Sequence, residues 1–309
     1  MSFSNTDKET TMVFSETVSD LKRAFSIFEA ENAGGFSVTR NFISFSPIFL
    51  NFLKQDWQQR KGFPTYLYMK IFTIASLKGG VGKTTLTVFL AQALQSISPK
   101  SKILLIDLDH NNNLTDYFLR EEDVHTIESH SVAKAFQGIS PLSELPIRSE
   151  KFNLDCIPTT PKLSKVSLSV AWDAGLQSRF RKQIRSLSYD YILIDTPPAL
   201  CLELNIGIFA ADLVLTPIGF SRWNIQGYEE IKEVFELANE TLDKKEKIKL
   251  LPIRTMVSEK KADAMDDIGI HFAKTFIPKS DSIAGAVDLG KPLSEKNAQI
   301  FETLAKEIR

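Results

Sequence analysis

The segment Leu77-Lys78-Gly79-Gly80-Val81-Gly82-Lys83-Thr84-Thr85 gathers residue types suited to one task, the holding of an anion. Its three glycines let successive backbone N–H groups turn toward a common point. The run that follows, LTVFLAQALQSI, reads as a helix, and the N-terminus of a helix carries partial positive charge. Lys83 can then reach the β- and γ-phosphates of a nucleotide, and the Thr84 hydroxyl can ligate Mg²⁺. The candidate nucleotide-binding residues are Lys78, Gly79, Gly80, Val81, Gly82, Lys83, Thr84 and Thr85. One position departs from the usual G-x-x-x-x-G-K-[ST] spacing. Leu77 stands where that pattern has glycine, and a second lysine, Lys78, lies inside the loop. A glycine-rich turn can arise by chance, but the order of strand, loop and helix favours a phosphate loop.

Two acidic strand ends join it. The text ILLIDLD places Asp107 and Asp109 at the carboxyl end of an apolar run, and YDYILIDTPP does the same for Asp195. Ligands of open α/β sheets bind outside the carboxyl ends of the strands. A lone carboxylate there is usually a cap or a turn residue. Beside a phosphate loop, such residues become candidates for the Mg²⁺ shell and for positioning water.

These groups need a scaffold, and the chain from Met69 onward supplies its pattern. Apolar runs at Ile71–Ser76, Lys102–Asp109, Phe152–Ile157, Tyr189–Asp195, Asp212–Ile218, Lys247–Val257 and Thr275–Pro278 predict strands. Several are apolar on both faces, as strands of a covered parallel sheet are. Helix-length patterns at Leu86–Ile97, Trp172–Leu187, Asn224–Leu242 and Ser294–Ile308 alternate with them. The alternation predicts a doubly wound α/β domain over 69–309, with a mostly parallel sheet and helices on both faces.

Residues 1–68 read differently. They hold ten of the 22 phenylalanines, and their seven basic and seven acidic residues balance. A helix over Thr17–Glu31 is expected from Val18, Leu21, Phe25 and Phe28 on one face. The stretch reads either as a poorly packed N-terminal extension or as sequence upstream of a true start at Met69.

Composition narrows the classes. The chain has 309 residues, 43% hydrophobic and 24% charged, enough for a real core. Thirty-seven Lys+Arg against 38 Asp+Glu leave a net charge of −1, so any nucleic-acid contact must come from a local patch. Cys156 and Cys201 have no metal-ligand or CxxC spacing, which argues against a disulfide scaffold, a zinc site or an iron–sulfur cluster. The most apolar stretch, Phe42 to Leu53, is shorter than the roughly twenty residues of a membrane span. The N-terminus lacks the layout of a signal peptide, so the expectation is a soluble, cytoplasmic protein.

The loop KGGVGKTT, the segment LLIDLDHNNNLTDYF and the segment YILIDTPPAL together resemble the ParA/MinD family of deviant Walker-A P-loop ATPases. The resemblance continues, in order, through LVLTPIGFSRWNIQGYEEI and TFIPKSDSIAGAVDLGKPLSEKNAQIFETLAKEI, and lies on the ParA side. It implies ATP and Mg²⁺ as cofactors and an ATP-dependent homodimer that hydrolysis releases. It also implies that Lys78 is the signature lysine, reaching the partner subunit's nucleotide, and that Lys83 is the phosphate-loop lysine. Thr84 would be the Mg²⁺ ligand, Asp109 would position the attacking water, and Asp107 and Asp195 would tune the Mg²⁺ shell. The family follows its second aspartate with Pro-Gln-Gly or Pro-Gln-Ala, where this chain has His110-Asn111-Asn112.

The resemblance leaves three classes of partner. A ParA-type partition ATPase would bind DNA nonspecifically, associate with the nucleoid and answer to a ParB-like activator. Arg179, Arg181, Lys182 and Arg185 on one expected helix, and Lys244, Lys245, Lys247 and Lys249 before a strand, are candidate patches for it. A MinD-type membrane cycle would need a basic amphipathic last helix. The tail NAQIFETLAKEIR, with Ile300, Phe301, Leu304 and Ile308 on one face, reads instead as a core-packing helix. A metabolic P-loop relative is the third class, and no second catalytic constellation supports it. The reading adopted is the partition ATPase, without membrane binding. A peptide spanning residues 9–22 in the natural protein, sought by mass spectrometry, would rule out a start at Met69.

Overall fold

The structure is a computed structural model that describes residues 69–243 and 246–309. The expected helix over Thr17–Glu31, the 1–68 segment, Lys244 and Lys245 lie outside the described residues. Eight strands form one sheet in the order β3-β4-β2-β5-β1-β6-β7-β8. They are β1 (Lys70–Ile74), β2 (Ile103–Asp107), β3 (Ile147–Ser149), β4 (Leu154–Ile157), β5 (Tyr191–Asp195), β6 (Leu213–Ile218), β7 (Lys249–Val257) and β8 (Ile277–Pro278). Every pairing is parallel except β3 with β4. The seven expected strands are all present. The edge strand β3 was not foreseen, because three residues are too few to show a period.

The chain order reverses at β1, which sits between β5 and β6. A crevice opens at such a switch point, outside the carboxyl ends of the strands. The loop after β1 leads directly into α1 (Lys83–Ile97) there.

Strand residues divide by parity between two covered faces. Phe72, Ile74, Ile103, Leu105 and Leu193 join one cluster with Phe89, Leu90 and Leu94 of α1 and Phe301 and Leu304 of the last helix. Ile71, Leu104, Ile106, Ile192 and Ile194 join the other with Phe136, Phe180 and Ile184. The helices on that second face include α4 (Ala133–Phe136), α5 (Leu163–Val170), α6 (Leu176–Arg185) and α7 (Leu202–Ala210). Between β2 and β3 lie also α2 (Asn113–Leu119) and α3 (Val124–Ser129), and β6 leads into α8 (Arg222–Thr241). The fold closes with α9 (Glu259–Ala264), α10 (Asp281–Asp288) and α11 (Glu295–Ile308).

Two expectations about surfaces meet different outcomes. The apolar face of α11 is turned inward, with Phe301, Leu304 and Ala305 fully buried and the Phe301 ring 5.3 Å from that of Phe89. That face is occupied by the core, as expected. The arginines of α6 behave otherwise than a DNA-facing patch requires. Arg181 is buried and donates to the Phe209 carbonyl; Arg185 pairs with Asp212 at 2.7 Å and donates to the Ala210 carbonyl at 3.1 Å. Both cap the carboxyl end of α7, where a cation meets the negative end of the helix dipole. Arg179 pairs with Asp173. Three of the four α6 cations are thus committed within the chain. Sequence spacing put them on one helix but could not show that Arg181 and Arg185 turn inward while Arg179 stays exposed on its pair with Asp173.

Phe301→Ala should cost about 3–5 kcal/mol of stability in urea unfolding, because it opens a cavity between α11 and α1. Lys306→Ala, on the exposed side of the same helix, should change it by about 0.5 kcal/mol or less.

Candidate functional site

The loop after β1 is built around two left-handed glycines, Gly80 at φ +73° and Gly82 at φ +88°. A side chain at either would be strained, since L residues rarely hold that conformation. Between them Val81 is buried. Leu77, the departure from the usual spacing, is half-buried in a small apolar cluster with α8. Gly227 of α8 faces it, and a β-carbon there would lie in ordinary contact, 3.8 Å from the Leu77 Cβ.

The loop forms one wall of a cavity of about 360 Å³. Residues Gly79 to Leu86 line it, with Asp109 and Asn111 after β2, Pro198 after β5, Thr255 and Met256 at the end of β7, and the first turn of α10. The volume suits a nucleotide-sized ligand. Lys83 opens α1 and is 7% exposed; its ammonium donates to the Lys78 carbonyl at 3.3 Å. Burial lowers its pKa, and the charges of Asp195 and Asp109 oppose that shift. Lys78 itself is exposed at the tip of the loop.

Asp195 is fully buried and accepts hydrogen bonds from the Thr84 hydroxyl at 2.6 Å and the Thr87 hydroxyl at 3.2 Å. Thr84 and Asp195 are hard oxygen donors of the kind Mg²⁺ takes, and they already touch. The residues therefore fit a Mg²⁺ site at the start of α1. Asp107 is placed differently. Its carboxylate accepts from the Thr115 backbone and hydroxyl at 2.9 and 2.7 Å and from the Asp109 N–H at 3.0 Å. Both of its oxygens thus serve the turn after β2 and the start of α2. The structure brings Thr84 and Asp195 together and sets Asp107 behind them.

Asp109 faces the cavity, and its side chain accepts from the Asn111 backbone at 3.0 Å and the Asn111 amide at 2.9 Å. The unusual His110-Asn111-Asn112 stretch thereby gains a reason. Asn111 holds Asp109, Asn112 takes a left-handed conformation (φ +50°) that asparagine tolerates, and His110 is exposed. Sequence reasoning missed Thr87, Asn111, Thr115, Thr255 and Met256. Thr255 and Met256 lie at the carboxyl end of an expected strand, so the strand-end rule used for the aspartates could have flagged them.

A family model described as AAA domain matches residues 69–249. An uncharacterized protein of Pseudomonas putida is 30% identical over 245 residues, covering 76% of this chain and 91% of its own. The chromosome partitioning protein ParA of Myxococcus xanthus is 26% identical over 254 residues, 77% of this chain and 87% of its own. Among solved structures, a plasmid partition protein of Borrelia burgdorferi bound to AMPPNP superposes with a TM-score of 0.67 at 22% identity, covering 77% of this chain and 98% of its own. A strand, a phosphate loop and a helix at a sheet's switch point define a P-loop nucleotide-binding protein. The chain belongs to the ParA family of P-loop ATPases.

Burial, with the charge of Asp195 second, pushes Asp107 up to about 8, against three donors that pull it down. Burial pushes Asp195 up to about 7, with the Thr84 hydroxyl and the Lys83 charge opposing. Their ordinary value is 3.8, so the folded, metal-free protein holds protons that the unfolded chain has released. Stability should therefore fall as pH rises from about 4 to about 8 and level off above that. Melting temperatures in a chelator across this range check it, and Asp195→Asn should make the slope shallower.

Proposed function

We propose that this protein is a Mg²⁺-dependent ATPase that forms an ATP-sandwiched homodimer and acts in plasmid or chromosome partitioning. Residues 69–309 are its ATPase domain. The observation that carries the reading is the contrast between two lysines of one loop. Lys83 is buried in the cavity, whereas Lys78 stands exposed at its mouth with its side chain available to a second copy. Gly79, beside it, has an ordinary φ and open space around its missing side chain. The isolated chain does not require glycine there, and a body approaching the tip would.

Leu200, Phe220, Trp223 and Met256 are exposed apolar residues at or just beyond the carboxyl ends of β5, β6 and β7. They flank the loop on the same sheet edge, and burial between two copies would give them a use. In the assembled dimer Lys83, Thr84 and Asp195 would hold the triphosphate and its Mg²⁺. Asp109, steadied by Asn111, orients the attacking water. Lys78 supplies positive charge to the partner's phosphates, so that hydrolysis depends on assembly. Mg²⁺, when bound, would neutralise charge on the terminal phosphates.

DNA binding is nonspecific in this reading and uses the 244–249 segment rather than α6, whose arginines are committed within the chain. Of that segment, Lys247 and Lys249 are exposed. A ParB-like protein triggers hydrolysis, and the location is the cytoplasm, on the nucleoid when DNA is bound. A membrane cycle is disfavoured, because α11 has buried its apolar face. No helix among the described residues is long and apolar enough to cross a membrane.

Lys83→Ala should abolish ATP binding. Lys78→Ala should keep binding but lose ATP-dependent dimerisation in sedimentation, and an unchanged dimer would discard the role in trans. Turnover without the partner should lie well below the enzyme median of about 10 s⁻¹, with Asp109→Ala slower still and its dimer longer-lived. A gel shift with nonspecific duplex across a salt series, with and without ATP, tests the DNA reading.

A further inference from the structure

The carboxyl end of β7 is irregular. Thr255 pairs with Ile277 and Val257 with Pro278, so β7 carries one residue more than β8 over that step. The extra residue is Met256, at φ +56°, a conformation that a side chain of its kind rarely adopts. Bulges of this sort bend a strand and re-aim its side chains beside functional sites. Here the bend leaves Met256 exposed and lining the cavity, and Thr255 buried behind the phosphate loop.

The buried Thr255 hydroxyl donates to the Val81 carbonyl at 2.9 Å, across 174 residues of sequence. Val81 stands between the two left-handed glycines. A peptide plane flanked by glycine can turn at little steric cost, so something outside the loop must fix it. In a trans peptide the C=O and the following N–H point in opposite directions, and the described residues contain no cis bond. Holding the Val81 carbonyl toward Thr255 therefore fixes the direction of the Gly82 N–H as well, on the opposite side of that peptide, in a loop that lines the cavity.

We propose that Thr255 is a positioning residue for the phosphate loop: its hydroxyl, set by the bulge in β7, fixes the Val81–Gly82 peptide so that the Gly82 N–H is presented to the phosphates. The inference rests on the nucleotide reading above and adds to it a residue from the far end of the domain. A buried threonine that merely satisfied its own hydroxyl would affect folding and leave phosphate recognition unchanged.

The test compares the wild type with Thr255→Val, which keeps the shape and removes the donor, and with Thr255→Ser, which restores it. Calorimetry would measure binding of a non-hydrolysable ATP analogue with Mg²⁺, and competition would measure inorganic tripolyphosphate, which has no base. Thr255→Val should weaken both by a similar factor, roughly tenfold or more. Thr255→Ser should stay within about threefold of the wild type for both. If Thr255→Val fails to fold, Thr255→Ala takes its place with the same expected losses. Equal binding by the donor-less variant and the wild type would overturn the proposal, as would a loss confined to the ATP analogue. A serine variant as weak as the valine one would overturn it too. A wild type that binds neither probe would instead overturn the nucleotide reading, and this inference with it.

Discussion

Lys83 is buried, 7% exposed, and its ammonium has a backbone carbonyl for a hydrogen-bond partner and the fields of Asp195 and Asp109 around it. Burying a charge is expensive unless it is paired and hydrogen-bonded, and the carbonyl of Lys78 is modest compensation. Its full complement is a polyanion that only the loop's own N–H groups and the helix terminus can share. Much of the surrounding structure is consistent with keeping that position closed and its neighbours in register. The low dielectric that makes the charge costly also makes it effective once a phosphate arrives.

A frame of hydroxyls keeps this charged ground in order. Thr84 and Thr87 tie α1 to the end of β5, Thr115 ties α2 to the end of β2, and Thr255 ties β7 to the loop. Three of these bonds join segments more than a hundred residues apart, and the Thr115 bond closes the turn eight residues after Asp107. The period-2 division of the central strands between two apolar clusters then fixes where the strand ends fall, and with them the carboxylates. The pushed-up Asp107 and Asp195 record the cost of gathering acids in a dry site. A divalent cation would relieve it at Asp195, while Asp107 remains occupied with the turn.

The fold and the loop were legible because their signals are local. Apolar runs of five or six residues announced β1, β2, β5 and β6, and the glycine spacing announced the phosphate loop. The strand ends gave Asp107, Asp109 and Asp195 their address but not their orientation. That Asp107 turns toward Thr115, and Asp109 toward Asn111, depends on the backbone of a loop whose residues have no periodic pattern. The short helices α2 to α5 and the strand β3 also escaped notice, since a turn or two of helix shows too little of its period. For Thr255 the strand end was legible but the bond it makes was not. Its partner is 174 residues away, and no spacing rule reaches that far. The α6 cations carry the opposite lesson: two of an evident cluster of four, Arg181 and Arg185, were spoken for by the carboxyl end of α7.

The seating of α11 on α1 joins the two ends of the folded domain. Phe301 rests on Phe89, two turns along from Lys83, so the last fourteen-residue helix is a wall of the helix that opens at the phosphates. Ile308, near the end of that helix, is buried as well. Removing even the final turn would strip Ala305 and Ile308 from the core that α11 shares with α1. Shortening α11 therefore removes the rear support of the helix that opens at the phosphate loop.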